Sequence, residues 1–324
     1  MKIISKSFSY IVAIMIVTAF IAGYIWRQET RPHILEIYIF DLNNSQAVFI
    51  RTPDDKRILI NGGANSGIIR EITKILPFYS RRIDTVIATD TVGKNVSGLI
   101  DVLNRYPVGR VVLPAITLKS LGISTTTDQI YSVFLDTVKE KGIPIANMKA
   151  GDRLSLNDSV FADVLFPILA ESFKYSKTSS PELVLNISYG DNSVMLLNNV
   201  TPKIQKAIAS TLTTPEPTLS VASLNGAERL MARGGNVSAM GVVNALMVFN
   251  NASPDNLTSE LTDILKPKYL IYSKSLNSSS PKVANSKNNK LDPLFYVMNN
   301  RRFNIKEKGI IKIVSDGSLL KIEN

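Results

Sequence analysis

Ala47–Gly63 reads AVFIRTPDDKRILINGG, two short apolar runs separated by Thr52–Lys56. The Pro and paired Asp of that segment are turn chemistry, so the runs predict a β-hairpin. Asn61-Gly62-Gly63 closes the second run at a tight strand-to-helix turn. Ser66 then stands as the N-cap of an amphipathic helix reaching Phe78. On the amino-terminal side, Ile34–Phe40 (ILEIYIF) is a third β-rich run. On the other, Asp84–Thr89 (DTVIAT) reads as a buried strand, Val96–Tyr106 as a helix and Gly109–Pro114 (GRVVLP) as a strand. Strand, helix and strand at that spacing form a crossover unit in a mixed sheet.

The theme returns further along. A helix over about Thr126–Lys141 precedes strands at Arg153–Leu156, Phe161–Phe166, Leu183–Tyr189 and Ser193–Asn198. Gly190-Asp191-Asn192 marks a hairpin between the last two. Pro202–Ser210 reads as a helix, followed by a poorly patterned stretch to about Gly241. Ser259–Leu265 is a helix and Tyr269–Ser273 a strand. Residues 274–290 are rich in Ser, Asn and Lys and read as a loop. Gly309–Val314 and Ser318–Ile322 close the chain as a hairpin around Asp316-Gly317. Two β-meander halves, each followed by helices, predict an α/β (α+β) fold: an αββα four-layer sandwich over residues 31–324.

Residues 1–30 differ in kind. Phe8–Trp26 carries no charge and lies between Lys6 and Arg27. Nineteen helical residues reach about 28 Å, close to the apolar thickness of a bilayer. Tyr24 and Trp26 fall at one end, where amphipathic rings meet head groups. A cleaved signal is the alternative, with a shorter apolar stretch as its norm. The expectation is a single-pass anchor in the cell membrane. Lys2 and Lys6 favour a cytoplasmic amino terminus and an extracytoplasmic bulk.

Composition narrows the chemistry. The 324 residues hold one histidine, His33, and no cysteine, which excludes disulfides and thiolate metal sites. His33 follows the apolar segment and precedes the first strand, an unsuitable place for a Ser/His/Asp triad. Hydrophobic residues at 45% and charged residues at 20% fit a folded chain with a sizeable core. Net charge is +10, and residues 264–324 hold twelve Lys/Arg against four acids. That asymmetry suits an anionic partner; a generally basic, solvated surface is the plainer alternative.

From about Leu35 to Gly317, and specifically over the first eighty residues of that span, the chain resembles the metallo-β-lactamase fold, and within it the hydrolase domain attached to ComEC-like competence proteins. Phe40–Ala47 (FDLNNSQA) stands where that family has an FLDVGQGDA-like motif. Ile50–Lys56 with Leu59–Gly63 matches its IRTPDGK and LIDGG runs, and Gly98–Pro114 matches a GLIxVLxRYxVGRVxLP run. The resemblance implies a two-metal hydrolase, yet its ligand positions are altered. Asp90 and Asn95 stand for the outer His of the first metal motif, Val92 for its first Asp, and Lys94 for the Asp beside the last His. Asn61 replaces the Asp of LIDGG. Val200 falls at the bridging Asp, Asn250 and Asn251 at a His pair, and Ser278 at a final His. Amides and hydroxyls do not replace imidazole and bridging carboxylate for zinc, so no metal, cofactor or catalytic residue is expected. A magnesium site on Asp90 and Asp41 is the remaining oxygen-only possibility, opposed by Lys94.

Arg301, Arg302, Phe303, Lys306 and Lys308 form the candidate anion or nucleic-acid surface: cations for phosphates and a ring for an unpaired base. The competing reading sets Phe303 and Ile305 inward on a half-buried strand. Two roles follow as expectations. One is a membrane-anchored, catalytically inactive protein binding DNA or another polyanion in a DNA-uptake or envelope setting. The other is an envelope platform for a protein partner, including a membrane protein. The sequence leaves the oligomeric state open.

Overall fold

The computed structural model describes residues 2–29, 33–42, 45–76, 81–117, 122, 128–169, 173–175, 181–198, 200–213, 243–248, 257–273 and 301–323. Met1–His33 and Ile34–Asn324 are separate units.

In the first unit, Lys2–Glu29 is one helix, α1. Tyr10, Ile11, Ile14, Met15, Ile16, Val17, Phe20 and Ile21 are 52–77% exposed. Four of them are consecutive and so point to all sides of the helix within the stretch 10–23. The expected bilayer span is not among the described residues: no helix there is long and apolar enough to cross a membrane. His33, which ends this unit, is exposed.

The second unit contains two sheets. The first runs β1 (Leu35–Asp41), β2 (Gln46–Arg51), β3 (Arg57–Ile60), α2 (Gly67–Ile75), β4 (Ile83–Ile87), α3 (Gly93–Arg105), β5 (Val108–Pro114), α4 (Asp128–Glu140) and β6 (Ile145–Met148). The second is built from β7 (Arg153–Ser155), β8 (Val160–Phe166), β9 (Val184–Tyr189), β10 (Asn192–Leu197), α5 (Pro202–Thr213), β11 (Ala245–Val248), α6 (Ser259–Leu265), β12 (Tyr269–Tyr272) and β13 (Arg302–Asn304). A helical turn, α7 (Ile305–Lys308), then returns the chain to the first sheet as β14 (Ile311–Ser315) and β15 (Leu320–Glu323). The orders are β15-β14-β1-β2-β3-β4-β5-β6 and β13-β12-β11-β10-β9-β8-β7.

Period-two alternation builds the layers. Ile37, Ile39, Val48, Ile50, Ile58 and Ile60 face Ala162, Val164, Leu185, Ile187, Val194 and Leu196 in one core between the sheets. Their neighbours Phe40, Phe49 and Leu59 turn outward onto Ile68, Ile72, Leu99, Val102 and Phe134 of α2, α3 and α4. On the far side, Met195, Leu197, Leu246 and Leu270 pack against Ile204, Ile208, Leu261 and Leu265 of α5 and α6. Three cores separate four layers, the predicted αββα order.

Several expectations change in detail. Ser66 precedes α2 but makes no side-chain cap; Asn65 Oδ1 accepts from Gly67 N at 2.9 Å instead. Among the described residues α2 ends at Ile75, and Phe78 lies outside them. Strands β6 and β11 have no counterpart in the sequence reading. Each has four residues, and β11 (ALMV) is buried at every position, so no alternation betrays it. The tract at 274–290 falls outside the described residues. The carboxyl-terminal hairpin is present, with Asp316 Oδ1 accepting from Ser318 N and Leu319 N at 2.9 and 2.7 Å.

The strand-to-helix turn after β3 is seated directly on α3. A Cβ at Gly98 would lie 2.0 Å from Gly62 O, and one at Gly62 would lie 2.4 Å from Leu99 N. Gly62 N donates to Asn95 O at 2.7 Å and Gly98 N to Gly63 O at 2.9 Å. Backbone touches backbone, so no side chain has room. Gly98→Ala is expected to lower stability by about 2 kcal/mol, the usual cost of forcing a methyl into a packed contact. Urea denaturation of the full chain in detergent checks it, an unchanged midpoint being the contrary result.

Candidate functional site

Strands β3 and β4 are parallel neighbours and deliver Asn61, Thr89 and Asp90 just beyond their carboxyl ends. β10 of the other sheet delivers Asn198 in the same way. Apolar strands of fixed length therefore carry polar residues to the point where the sheets meet. Asn61, Thr89, Asp90, Asn95 and Asn198 are all buried, with exposures of 1–4%.

Buried polar groups need partners, and these find them chiefly in one another. Asn61 Nδ2 donates to Thr89 Oγ1 at 2.8 Å, and Thr89 N donates to Asn61 Oδ1 at 3.0 Å. Asn198 Nδ2 donates to the same Thr89 Oγ1 from the opposite sheet. Thr89 Oγ1 also lies 3.0 Å from Asn61 Oδ1, an alternative acceptor for its hydroxyl proton. Leu183 N donates to Thr89 O at 2.7 Å, a second tie across the sheets. Asn61 adopts φ +59°, a left-handed conformation that Asn tolerates better than most side chains. A third cross-sheet bond, Gln46 Nε2 to Ser273 Oγ at 3.1 Å, links β2 to the end of β12.

Asp90 is a separate half of the cluster. Its Oδ1 accepts from Val92 N at 2.9 Å and its Oδ2 from Asn95 Nδ2 at 2.6 Å. Burial nonetheless pushes its carboxyl up from 3.8 to about 6; the two hydrogen bonds and the charge of Lys94 offset only part. Tyr131 is pushed up to about 12, by burial first and then by the charge of Asp90. Asn95 Oδ1 is buried and has no hydrogen-bond partner among the described residues.

The structure thus brings Asn61, Asp90 and Asn95 together and disperses the other candidates. Lys94, expected at the centre of the vestigial motif, is exposed on the first turn of α3. Its charge is the weakest of the influences on Asp90. Val92 contributes its backbone N–H, and its side chain is only part-buried. Val200 corrects the reading of its segment: it packs in the outer core beside α5, and Asn198, two residues earlier, reaches the cluster. Asn250, Asn251 and Ser278 lie outside the described residues. Asp41 lies near Lys306 and Gln46, whereas Asp90 answers to Lys94, Val92 and Asn95. Burial raises the Asp41 carboxyl, and Lys306 and Gln46 pull it back.

These residues do not fit a metal ion. Their donor set is amides, one hydroxyl and one carboxylate, and both carboxylate oxygens and the Thr89 oxygen already hold hydrogen bonds. Among the described residues no group of three or more His, Cys, Asp or Glu is placed to hold a metal.

Neither a family model nor a curated protein matches this chain. The solved structures to which it is similar are metallo-β-lactamase-fold proteins. They include Zn2+-bound PqqB from Methylobacterium extorquens, 12% identical over 77% of this chain and 80% of that one, with a TM-score of 0.42. A mutant of the CmlA β-hydroxylase is 15% identical over 73% of this chain and 45% of that one, with a TM-score of 0.41. This chain therefore spans less than half the length of that protein. MEM-A1, a subclass B3 metallo-β-lactamase from a soil metagenome library, is 12% identical over 70% and 81% of the two chains, with a TM-score of 0.38.

Thr89 and Asn198 are the residues that sequence reasoning passed over. A faint signal existed: each is a polar residue directly after a buried apolar run, Thr89 beyond β4 and Asn198 beyond β10. The basic candidates are rearranged. Phe303 packs against the inter-sheet core with its ring 6.3 Å from that of Tyr269, and Ile305 is fully buried. Phe303 thus turns toward the core as the competing reading has it, but not by strand alternation: β13 ends at Asn304, itself buried, and Ile305 opens α7. Lys306 lies close enough to Asp41 to stabilise its charge. Arg301 and Lys308 are exposed and Arg302 is part-buried.

Proposed function

We propose that this chain is a metal-independent interaction module of the metallo-β-lactamase fold, related to the ComEC-attached domain and tethered to the cell membrane by α1. It works by contact rather than hydrolysis. The observation that carries the reading is the Asn61–Thr89–Asn198 cluster. Where a hydrolase would aim ligands at a cation, these side chains are spent on joining the two sheets. A bound cation would be needed to acidify water or polarise a scissile group, and Asp90 alone among these residues carries charge. The apolar side chains exposed between Tyr10 and Ile21 of α1 favour lipid contact. The purified chain is expected to take up no stoichiometric zinc, manganese or magnesium on equilibrium dialysis. It should hydrolyse neither β-lactam nor phosphodiester model substrates. Metal-dependent turnover that disappears in Asp90→Ala would overturn the reading.

Within that reading, a protein-binding platform at the envelope is favoured over nucleic-acid binding. Phe303 is engaged in packing, Lys306 lies by Asp41, and Glu307 interrupts the cations. Anion binding then rests on Arg301, Arg302 and Lys308. Titration with single- and double-stranded DNA across salt decides between the two. The platform predicts no binding even at low salt. An affinity falling steeply as salt rises would report phosphate neutralisation and restore the nucleic-acid reading.

A further inference from the structure

On the outer helical layer, away from the cluster at the strand ends, α2 and α3 bound a groove of about 680 Å³ lined by Ser66, Ile69, Arg70, Thr73, Asp101, Asn104 and Arg105. The groove is shallow and open, and among the described residues Ile69 is the one apolar member of its lining. Arg105 has no carboxylate within ion-pair distance among the described residues, not even Asp101 one helical turn away on α3. Arg70 is exposed and donates to Glu71 Oε1 through Nε at 3.3 Å. Guanidinium groups on facing helices match the oxygens of a phosphate, which they bind by paired, charge-assisted hydrogen bonds. Asp101 and Asn104 complete the lining with acceptors that suit hydroxyl groups.

We infer that the α2–α3 groove binds a phosphate monoester bearing free hydroxyls, with Arg70 and Arg105 on the phosphate and Asp101 and Asn104 on the hydroxyls. The ligand chemistry is that of a small polyol phosphate, free in solution or carried on a lipid head group. The site is independent of the function proposed above.

The test is calorimetric titration of the full chain in detergent with glycerol 3-phosphate, dihexanoyl phosphatidic acid and glycerol. Binding of a phosphate ester with no response to glycerol is expected, and the tighter of the two esters identifies the source. Arg105→Ala and Arg70→Ala should each weaken binding on the order of tenfold or more, the usual worth of a charged hydrogen bond. Arg82→Ala, an exposed cation paired with Asp84 outside the groove, should leave affinity unchanged. Both groove arginines are exposed, so their replacement leaves the core intact. Absence of binding, or equal affinity in Arg105→Ala and the parent, would overturn the inference. So would an equal loss in Arg82→Ala, which would mark nonspecific attraction to a basic surface.

Discussion

Thr89→Val is expected to destabilise the chain by about 4 kcal/mol, although the two side chains have nearly the same shape. The cost is polar. Removing Oγ1 leaves Asn61 Nδ2 and Asn198 Nδ2 as buried donors without their acceptor. Each such donor costs roughly 1–3 kcal/mol. The two amides belong to different sheets, so the loss also opens the join between them. Thr89→Ser keeps the hydroxyl and forfeits one buried methyl, worth about 1 kcal/mol. Urea unfolding of parent, Val and Ser variants, side by side, separates the terms. Equal costs for the two substitutions would mean that the hydroxyl holds nothing together.

Asp90→Asn should act in the opposite sense, stabilising the chain by on the order of 3 kcal/mol at pH 8, since each pKa unit is worth about 1.4 kcal/mol. In the folded chain the carboxyl titrates near 6, against an ordinary value of 3.8. Below both values the group is protonated in either state and contributes no difference. As pH rises from about 3.8 to 6 the unfolded chain has released its proton while the folded chain still holds it. Stability therefore falls across that window and stays low above it. An amide at this position removes the fall. Its oxygen can still accept from Val92 N, and rotation of the Asn95 amide offers its Oδ1 to the new N–H. The stability difference between variant and parent should be small at pH 3.5 and should grow to its full size by pH 7. A difference that stays flat with pH would show that burial does not strain this carboxylate.

Most of the layer order was legible in the chain. Ile37, Ile39, Val48, Ile50, Ile58 and Ile60 alternate with outward residues, so one face of each strand was fixed by hydrophobicity alone. Turns announced themselves where a backbone conformation demanded a residue type. Gly190 at φ +56° and Gly317 at φ +95° sit in the two hairpins that the sequence marked. β11 was silent because burial on both faces erases alternation, and β6 because four residues carry too little pattern. Phe303 was ambiguous because an aromatic between cations suits a phosphate surface as well as an edge strand; only the core beside it decides.

The candidate site divides along the same line. The sequence by itself determined that the site lacks imidazole and thiolate ligands, since one histidine and no cysteine settle those donors before any folding. It also placed Asn61, Asp90 and Asn95 at the ends of their elements. That Thr89 is the hub, that Asn198 rather than Val200 reaches it, and that Lys94 stands outside were decided only by the tertiary structure. The physical reason is range. Strand and turn preferences act over a few residues, whereas Thr89 and Asn198 are separated by 109 positions and meet because two sheets pack face to face.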